Sequence, residues 1–177
     1  MILAVLSGFI VALILAFSGK LFKGRLSGLL GLLPLSIFNY FLYFFPAISK
    51  GEVITFSYRW IPSLGINLDF RLDGLSMLFV MLITGIGALI YFYAASYLEG
   101  HKYLDRFYAY LSLFMGSMLG LVLADNTLLI FTFWELTSIS SFFLIGFNND
   151  NAESRKSALM ALAITGCGGF FLLVAFI

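Results

Sequence analysis

Charge is what this chain of 177 residues has least of: Asp, Glu, Lys and Arg together make up 11%, against 62% hydrophobic residues. Its mean hydropathy is +1.04. Soluble domains carry about 25% charged residues, so an ordinary water-soluble protein is excluded. The formal net charge is +1 and no basic stripe exists, which excludes a nucleic-acid partner. Cysteine occurs once, as Cys167 in an apolar run, so neither a disulfide framework nor a cysteine metal cluster is available. The one histidine, His101, cannot build a metal site alone and reads as a surface residue rather than a proton relay. No nucleotide-binding loop, catalytic triad or cofactor motif is present, so the chain is not expected to be an enzyme or to hold a cofactor. What remains is an all-α polytopic membrane protein whose first partner is the lipid bilayer.

A helix needs about 20 apolar residues to cross the hydrocarbon core. About six such stretches are predicted, over residues 2–17, about 26–48, 74–98, 107–124, 126–147 and 157–177. The first is short but has no basic leader of the signal-peptide kind and is retained as a helix. Pro34 falls inside the second, which a membrane helix tolerates. Little more than Asp125-Asn126 separates the fourth and fifth, which therefore form a tight antiparallel helical hairpin. Asp73 reads as the N-cap of the third span, Asp125-Asn126 as a turn and cap, and the glycines of Gly116-x-x-x-Gly120 as a helix-packing site.

Loops one, three and five carry Lys20, Lys23, Arg25, Lys102, Arg106, Arg155 and Lys156. The second loop carries Lys50, Arg59 and Arg71, and the fourth none. The positive-inside rule puts the odd loops in the cytoplasm and the N-terminus outside. Within the second loop, Ile54, Phe56, Tyr58 and Trp60 alternate with polar residues. After Pro62-Ser63-Leu64-Gly65, Ile66, Leu68, Phe70 and Leu72 do the same. Period-2 patterning on both sides of a Pro/Gly turn predicts an extracytoplasmic β-hairpin, lying on the rim of the bundle or on a partner because a lone hairpin is marginal in water. The expected organisation is one unit over 1–177: two helices in 1–48, the hairpin loop in 49–73, and helices three to six in 74–177. The last span ends in apolar residues with no polar flank, so the chain is expected to be the N-terminal part of a longer protein.

Glu135 is the residue that carries chemistry. It lies nine residues from the start and twelve from the end of its span, where an acidic side chain costs about 2.5–3.5 kcal/mol even on lenient insertion scales. It must face the protein interior, a partner charge or water. Thr132 at i−3 and Ser138 at i+3 share its helical face, with Ser141 close by. A carboxyl flanked by hydroxyls forms a small hydrated patch suited to passing protons; the plainer reading is a protonated Glu that only binds helices together. A carboxyl group in hydrocarbon holds its proton, and a lysine about 5 Å away favours release by roughly 3 kcal/mol at an effective dielectric of 20. No lysine lies within any of the six spans, so the partner must come from beyond residue 177 or from another polypeptide of the assembly.

Residues 60–76 (WIPSLGINLDFRLDGLS) resemble the hairpin and third-helix start of the antiporter-like subunits shared by Mrp cation/proton antiporters and respiratory complex I. Residues 133–147 (FWELTSISSFFLIGF) resemble their fifth helix, and 106–110 and 115–126 fit as well. The resemblance covers nearly the whole chain and is strongest from Trp60 onwards. Residues 164–170 (ITGCGGF) resemble the sixth helix of the A-type Mrp subunits and lack the Asn-Arg-x-Gly-Asp pattern of complex I. The resemblance implies an incomplete antiporter-like module, of two inverted repeats when complete. It implies that Glu135 pairs with a lysine on a seventh helix, with Thr132 and Ser138 organising its hydration. It also implies a multi-pass subunit of the cell membrane, partnered by other antiporter subunits, that exchanges cytoplasmic Na⁺ for external H⁺. Two alternatives stay open: a proton-pumping subunit of a complex I-like or hydrogenase-like redox complex, and a non-transporting assembly subunit.

Overall fold

A computed structural model of the chain describes residues 1–18, 24–61 and 66–176. Its elements are α1 (Ile2–Ser18), a 3₁₀ segment (Gly24–Gly31), α2 (Leu32–Leu42), α3 (Phe45–Ile48), β1 (Ile54–Ile61), β2 (Ile66–Leu72), α4 (Gly74–Tyr97), α5 (Leu104–Leu123), α6 (Thr127–Ile145) and α7 (Ala152–Phe176). Lys20 and Lys23 of the first loop, the Pro62–Gly65 turn and Ile177 lie outside the described residues.

Four helices, α4 to α7, are long and apolar enough to cross a membrane, and they coincide with the last four predicted spans. The first predicted span is α1, with 17 residues or about 26 Å at the helical rise. The second is the one that departs from expectation, because it is broken twice rather than continuous. Pro34 has no N–H to give the carbonyl of Leu30, so the chain winds as a 3₁₀ segment up to Gly31 and the α-helix starts only at Leu32. There Pro34 falls in the first turn, where a missing N–H costs nothing. Pro46 repeats the effect: α2 stops at Leu42, and α3 restarts with proline in its first turn.

The hairpin is antiparallel, with Ile54 opposite Leu72, Phe56 opposite Phe70 and Tyr58 opposite Leu68, and its register shifts between Arg59 and Ile61. β2 is the inner strand: Phe70 and Leu72 are buried among Met77, Val80, Leu119 and Leu123. β1 overhangs the rim, leaving Phe56, Tyr58 and Trp60 between 51% and 58% exposed on the face that Phe70 buries.

The turn between α5 and α6 is sewn to this strand. The backbone N–H of Asp125 donates to the Asp69 carbonyl at 2.9 Å, and Ala124 forms a β-bridge with Phe70. Asn126 Nδ2 donates to the Asn67 carbonyl and to Asp69 Oδ2, both at 3.1 Å, while its Oδ1 accepts from the Leu129 N–H at 2.7 Å. One amide thus caps α6 and anchors β2. Arg71 bridges the same corner, 3.5 Å from Asp73 and 3.7 Å from Asp125. Asp73 caps α4 as expected, its Oδ1 accepting from the N–H of Leu75 and Ser76 while Ser76 Oγ accepts from the Asp73 N–H at 2.8 Å. The Ser76 N–H is the main reason that the Asp73 carboxyl sits below its ordinary pKa. Asn126→Ala should cost about 1–2 kcal/mol, losing the cap and the β2 anchor together. Thermal unfolding of the complex that holds the chain measures this, and wild-type stability in the variant would contradict the double role.

Helix packing uses missing side chains. A β-carbon on Gly8 of α1 would lie 2.7 Å from the Ser112 carbonyl and 2.9 Å from the Gly116 backbone of α5. One on Gly120 would strike the Phe133 ring of α6. The Gly116-x-x-x-Gly120 pair therefore does serve close packing, Gly116 towards α1 and Gly120 towards α6.

Candidate functional site

Glu135 lies one residue from the middle of α6 and is the only Asp, Glu, Lys or Arg in that helix. Its side chain is half-buried and aims at α7, where Oε1 rests against Gly169. A β-carbon at Gly169 would collide with that oxygen, and it would also stand 3.1 Å from the carboxyl carbon and 3.5 Å from Trp134 Cδ1. The antiparallel pairing of α6 and α7 brings this about. The link between them is short, and at the other end of the pair a β-carbon on Gly146 would meet Ala158 at 3.3 Å, so α7 lies closely along α6.

The hydroxyls expected on the carboxylate's face turn inward to the helix. Thr132 Oγ1 donates to the Leu128 carbonyl at 2.8 Å, and Ser138 Oγ to that of Trp134 at 3.1 Å. Thr137 and Ser140 donate in the same way, each at 2.7 Å. In an apolar span the carbonyl one turn back is the nearest acceptor, so the hydroxyl proton goes there. Both oxygens keep lone pairs that can accept from water. Among the described residues, Glu135 has neither a hydrogen-bond nor an ion-pair partner. The basic residue of α7 nearest along the chain to Gly169, Lys156, is 13 residues away, about 20 Å along the helix. At that distance a pairing is worth under about 1 kcal/mol even at an effective dielectric of 20. What the arrangement offers chemically is one carboxyl group near the middle of an apolar helix.

α7 is the least covered helix. Of its residues only Ala158 and Gly169 are buried, while Phe170 and Phe171 are more than 70% exposed. Glu135 thus stands at the seam between α6 and the outermost helix.

A second polar group, which sequence reasoning misses, lies between α4 and α5. Ser112 Oγ donates its one proton to the Tyr108 carbonyl at 2.8 Å, so in its 2.6 Å contact with Tyr91 the phenol is the donor. Tyr108 in turn donates to the Tyr91 carbonyl at 3.1 Å. Every hydroxyl here is satisfied and Tyr91 is completely buried, so this cluster locks helices together. A tyrosine one turn from a small polar residue, as Tyr108 is from Ser112, is the signal that could find it.

Lys102, Arg106, Arg155 and Lys156 gather at the end of the bundle away from the hairpin, while Lys50, Arg59 and Arg71 stand at the hairpin end. Lys102 approaches Asp150 at 3.7 Å, Tyr103 donates to the same carboxylate, and Arg106 lies over the Tyr103 ring. The His101 ring accepts from the Tyr103 N–H at 3.2 Å and packs on Phe147.

Residues 60–108 match the family profile described as NADH-ubiquinone oxidoreductase (complex I), chain 5 N-terminus, and residues 124–177 match NADH:quinone oxidoreductase/Mrp antiporter, TM. The first match opens at Trp60, and the second contains Glu135 and Gly169. Proteins of Staphylococcus aureus strains JH9 and USA300, described as antiporter subunit mnhA2, are each 46% identical over 170 residues, 95% of this chain and 21% of theirs. The chain thus spans about a fifth of the length of the curated relatives it matches. The Mrp complex from Dietzia sp. DQ12-45-1b superposes with a TM-score of 0.81 at 34% identity, over 98% of this chain and 18% of that one. An archaeal membrane-bound sulfane sulfur reductase shares the fold, with a TM-score of 0.74 at 21% identity over 97% of this chain and 35% of that one. With both family profiles matched, and Mrp subunits similar to it along almost its entire length, the chain belongs to the antiporter-like membrane subunits common to Mrp antiporters and NADH:quinone oxidoreductase.

Proposed function

We propose that this chain is the N-terminal part of the A-type subunit of a multisubunit cation/proton antiporter in the cell membrane, exchanging cytoplasmic Na⁺ for external H⁺, with Glu135 as the group that accepts and releases the proton. One observation carries the reading: a lone carboxylate at the centre of an apolar helix, unpaired among the described residues, inside the segment that matches the antiporter profile. Retaining it there costs about 2.5–3.5 kcal/mol, a cost that a purely packing residue would not incur. Thr132 and Ser138 serve by accepting hydrogen bonds from water beside the carboxylate. The positive partner lies on another helix or another polypeptide of the assembly. The separation of the basic end from the hairpin end supports a cytoplasmic position for Lys102, Arg106, Arg155 and Lys156, and an outer position for the N-terminus and the hairpin. The division into 1–48, 49–73 and 74–177 is retained as an organisation of this one module.

The test is exchange itself. In everted membrane vesicles holding the complete complex and an imposed pH gradient, added Na⁺ is expected to dissipate the gradient, and to do so only when this chain is present. No Na⁺-dependent dissipation with a fully assembled complex would overturn the reading. A redox-pump role is favoured by the complex I profile over residues 60–108 and by the profile over residues 124–177, which NADH:quinone oxidoreductase shares with Mrp antiporters; it requires flavin or iron–sulfur subunits to copurify.

A further inference from the structure

We infer that Gly169 is the positioning residue for Glu135: the missing β-carbon forms the notch in α7 that seats the carboxylate. This inference rests on the reading of Glu135 as the proton-carrying group. α7 contains three glycines within four residues, and they are not equivalent. A β-carbon on Gly166 or Gly168 would meet nothing within 4 Å, whereas one on Gly169 would collide with Glu135 Oε1 and lie 3.1 Å from its carboxyl carbon. Gly169 is also one of only two buried residues of α7 among those described. The third wall of the notch is Trp134, whose Cδ1 lies 3.5 Å from the same point.

The chemistry follows from what glycine leaves exposed. With no β-carbon, a Cα–H bond takes its direction and points at the carboxylate oxygen, a weak donor that does not compete for the proton. The carboxylate is held sideways against α7 while its remaining lone pairs stay open to water. A side chain of any size at residue 169 must push either α7 or the carboxylate away, and in a proton path a shift of about 1 Å can cost roughly 100-fold in rate. Helix formation does not call for glycine here, since glycine weakens a helix relative to alanine.

The test uses the complete antiporter complex, with assembly checked by subunit content. Gly169→Ala is expected to lower Na⁺-driven proton exchange by about 10- to 100-fold, while Gly168→Ala stays within about twofold of wild type. Shortening the acid should make room for the new methyl group: Glu135→Asp combined with Gly169→Ala is expected to exceed Gly169→Ala alone, a rescue that general damage to α7 would not give. If Gly169→Ala alone fails to assemble, the comparison moves to the Glu135→Asp background, where adding Gly169→Ala is expected to be tolerated. Wild-type exchange in Gly169→Ala, equal loss in Gly168→Ala, or no rescue by the aspartate would each overturn the inference. Full exchange in Glu135→Gln would instead remove the reading beneath it, and the two failures are thereby separable.

Discussion

Replacing Glu135 by Gln is expected to abolish cation-coupled proton exchange, by roughly 100-fold or more, the scale on which removing a proton-transferring group acts. Glutamine has the same shape, so the contact with Gly169 and the packing of α6 on α7 survive, and the complex should assemble at normal levels. What is lost is the capacity to bind and release a proton near the middle of the membrane. Glu135→Ala should be equally inactive and somewhat less stable, because it empties the space between the two helices. Glu135→Asp keeps the carboxyl but draws it back from the notch, and partial exchange is expected. Paired measurements of gradient dissipation and subunit content separate these outcomes. Full activity in the glutamine variant at normal assembly would leave Glu135 a structural residue and favour a non-transporting assembly role for the chain.

The second large effect is one of sign. In an exposed stretch of helix, Gly→Ala stabilises by roughly 0.5–1 kcal/mol. At Gly8 the sign reverses, because all three nearest atoms to a new β-carbon are α5 backbone atoms at 2.7 to 2.9 Å, which cannot rotate away. Separating α1 from α5 to admit a methyl group should cost about 1–3 kcal/mol, as overpacking does in other cores. At Gly87 of α4 the nearest atoms are Met115 Sδ and Pro34 Cβ, both at 3.8 Å, so alanine there should be neutral or mildly stabilising. Thermal unfolding of complexes carrying each variant checks the pair. Equal tolerance of Gly8→Ala and Gly87→Ala would contradict the backbone contact between α1 and α5.

Local features are legible in the sequence because each has a local cause. Apolar runs of spanning length mark α4 to α7, period-2 alternation marks the hairpin, and Asp73 and Asn126 announce the caps that they form. Glu135 stands out because its cost depends only on depth in the bilayer. The double break of the second span is harder to read: a proline is tolerable within a membrane helix, yet the missing N–H of Pro34 sets where the α-helix begins. Contacts between distant segments leave no periodic trace. Nothing adjacent to Asn126 shows that its amide also reaches Asn67 and Asp69, and nothing adjacent to Gly169 shows that a carboxylate 34 residues earlier fills its missing side chain. Helical spacing places Thr132 and Ser138 beside Glu135 in angle, but it does not show that each hydroxyl proton goes to a carbonyl four residues back. The family resemblance helps most where these limits apply, in singling out one carboxylate as the candidate proton carrier.

The central claim is that Glu135 takes up and gives off a proton during exchange. Difference infrared spectroscopy of the assembled complex tests it most directly, recorded as the cation or pH gradient is switched, on wild type and on Glu135→Gln. The account predicts a protonated-carboxyl band that appears and disappears with the gradient in wild type and is missing from the variant. A wild-type spectrum without such a band, or the same band persisting in Glu135→Gln, would contradict it.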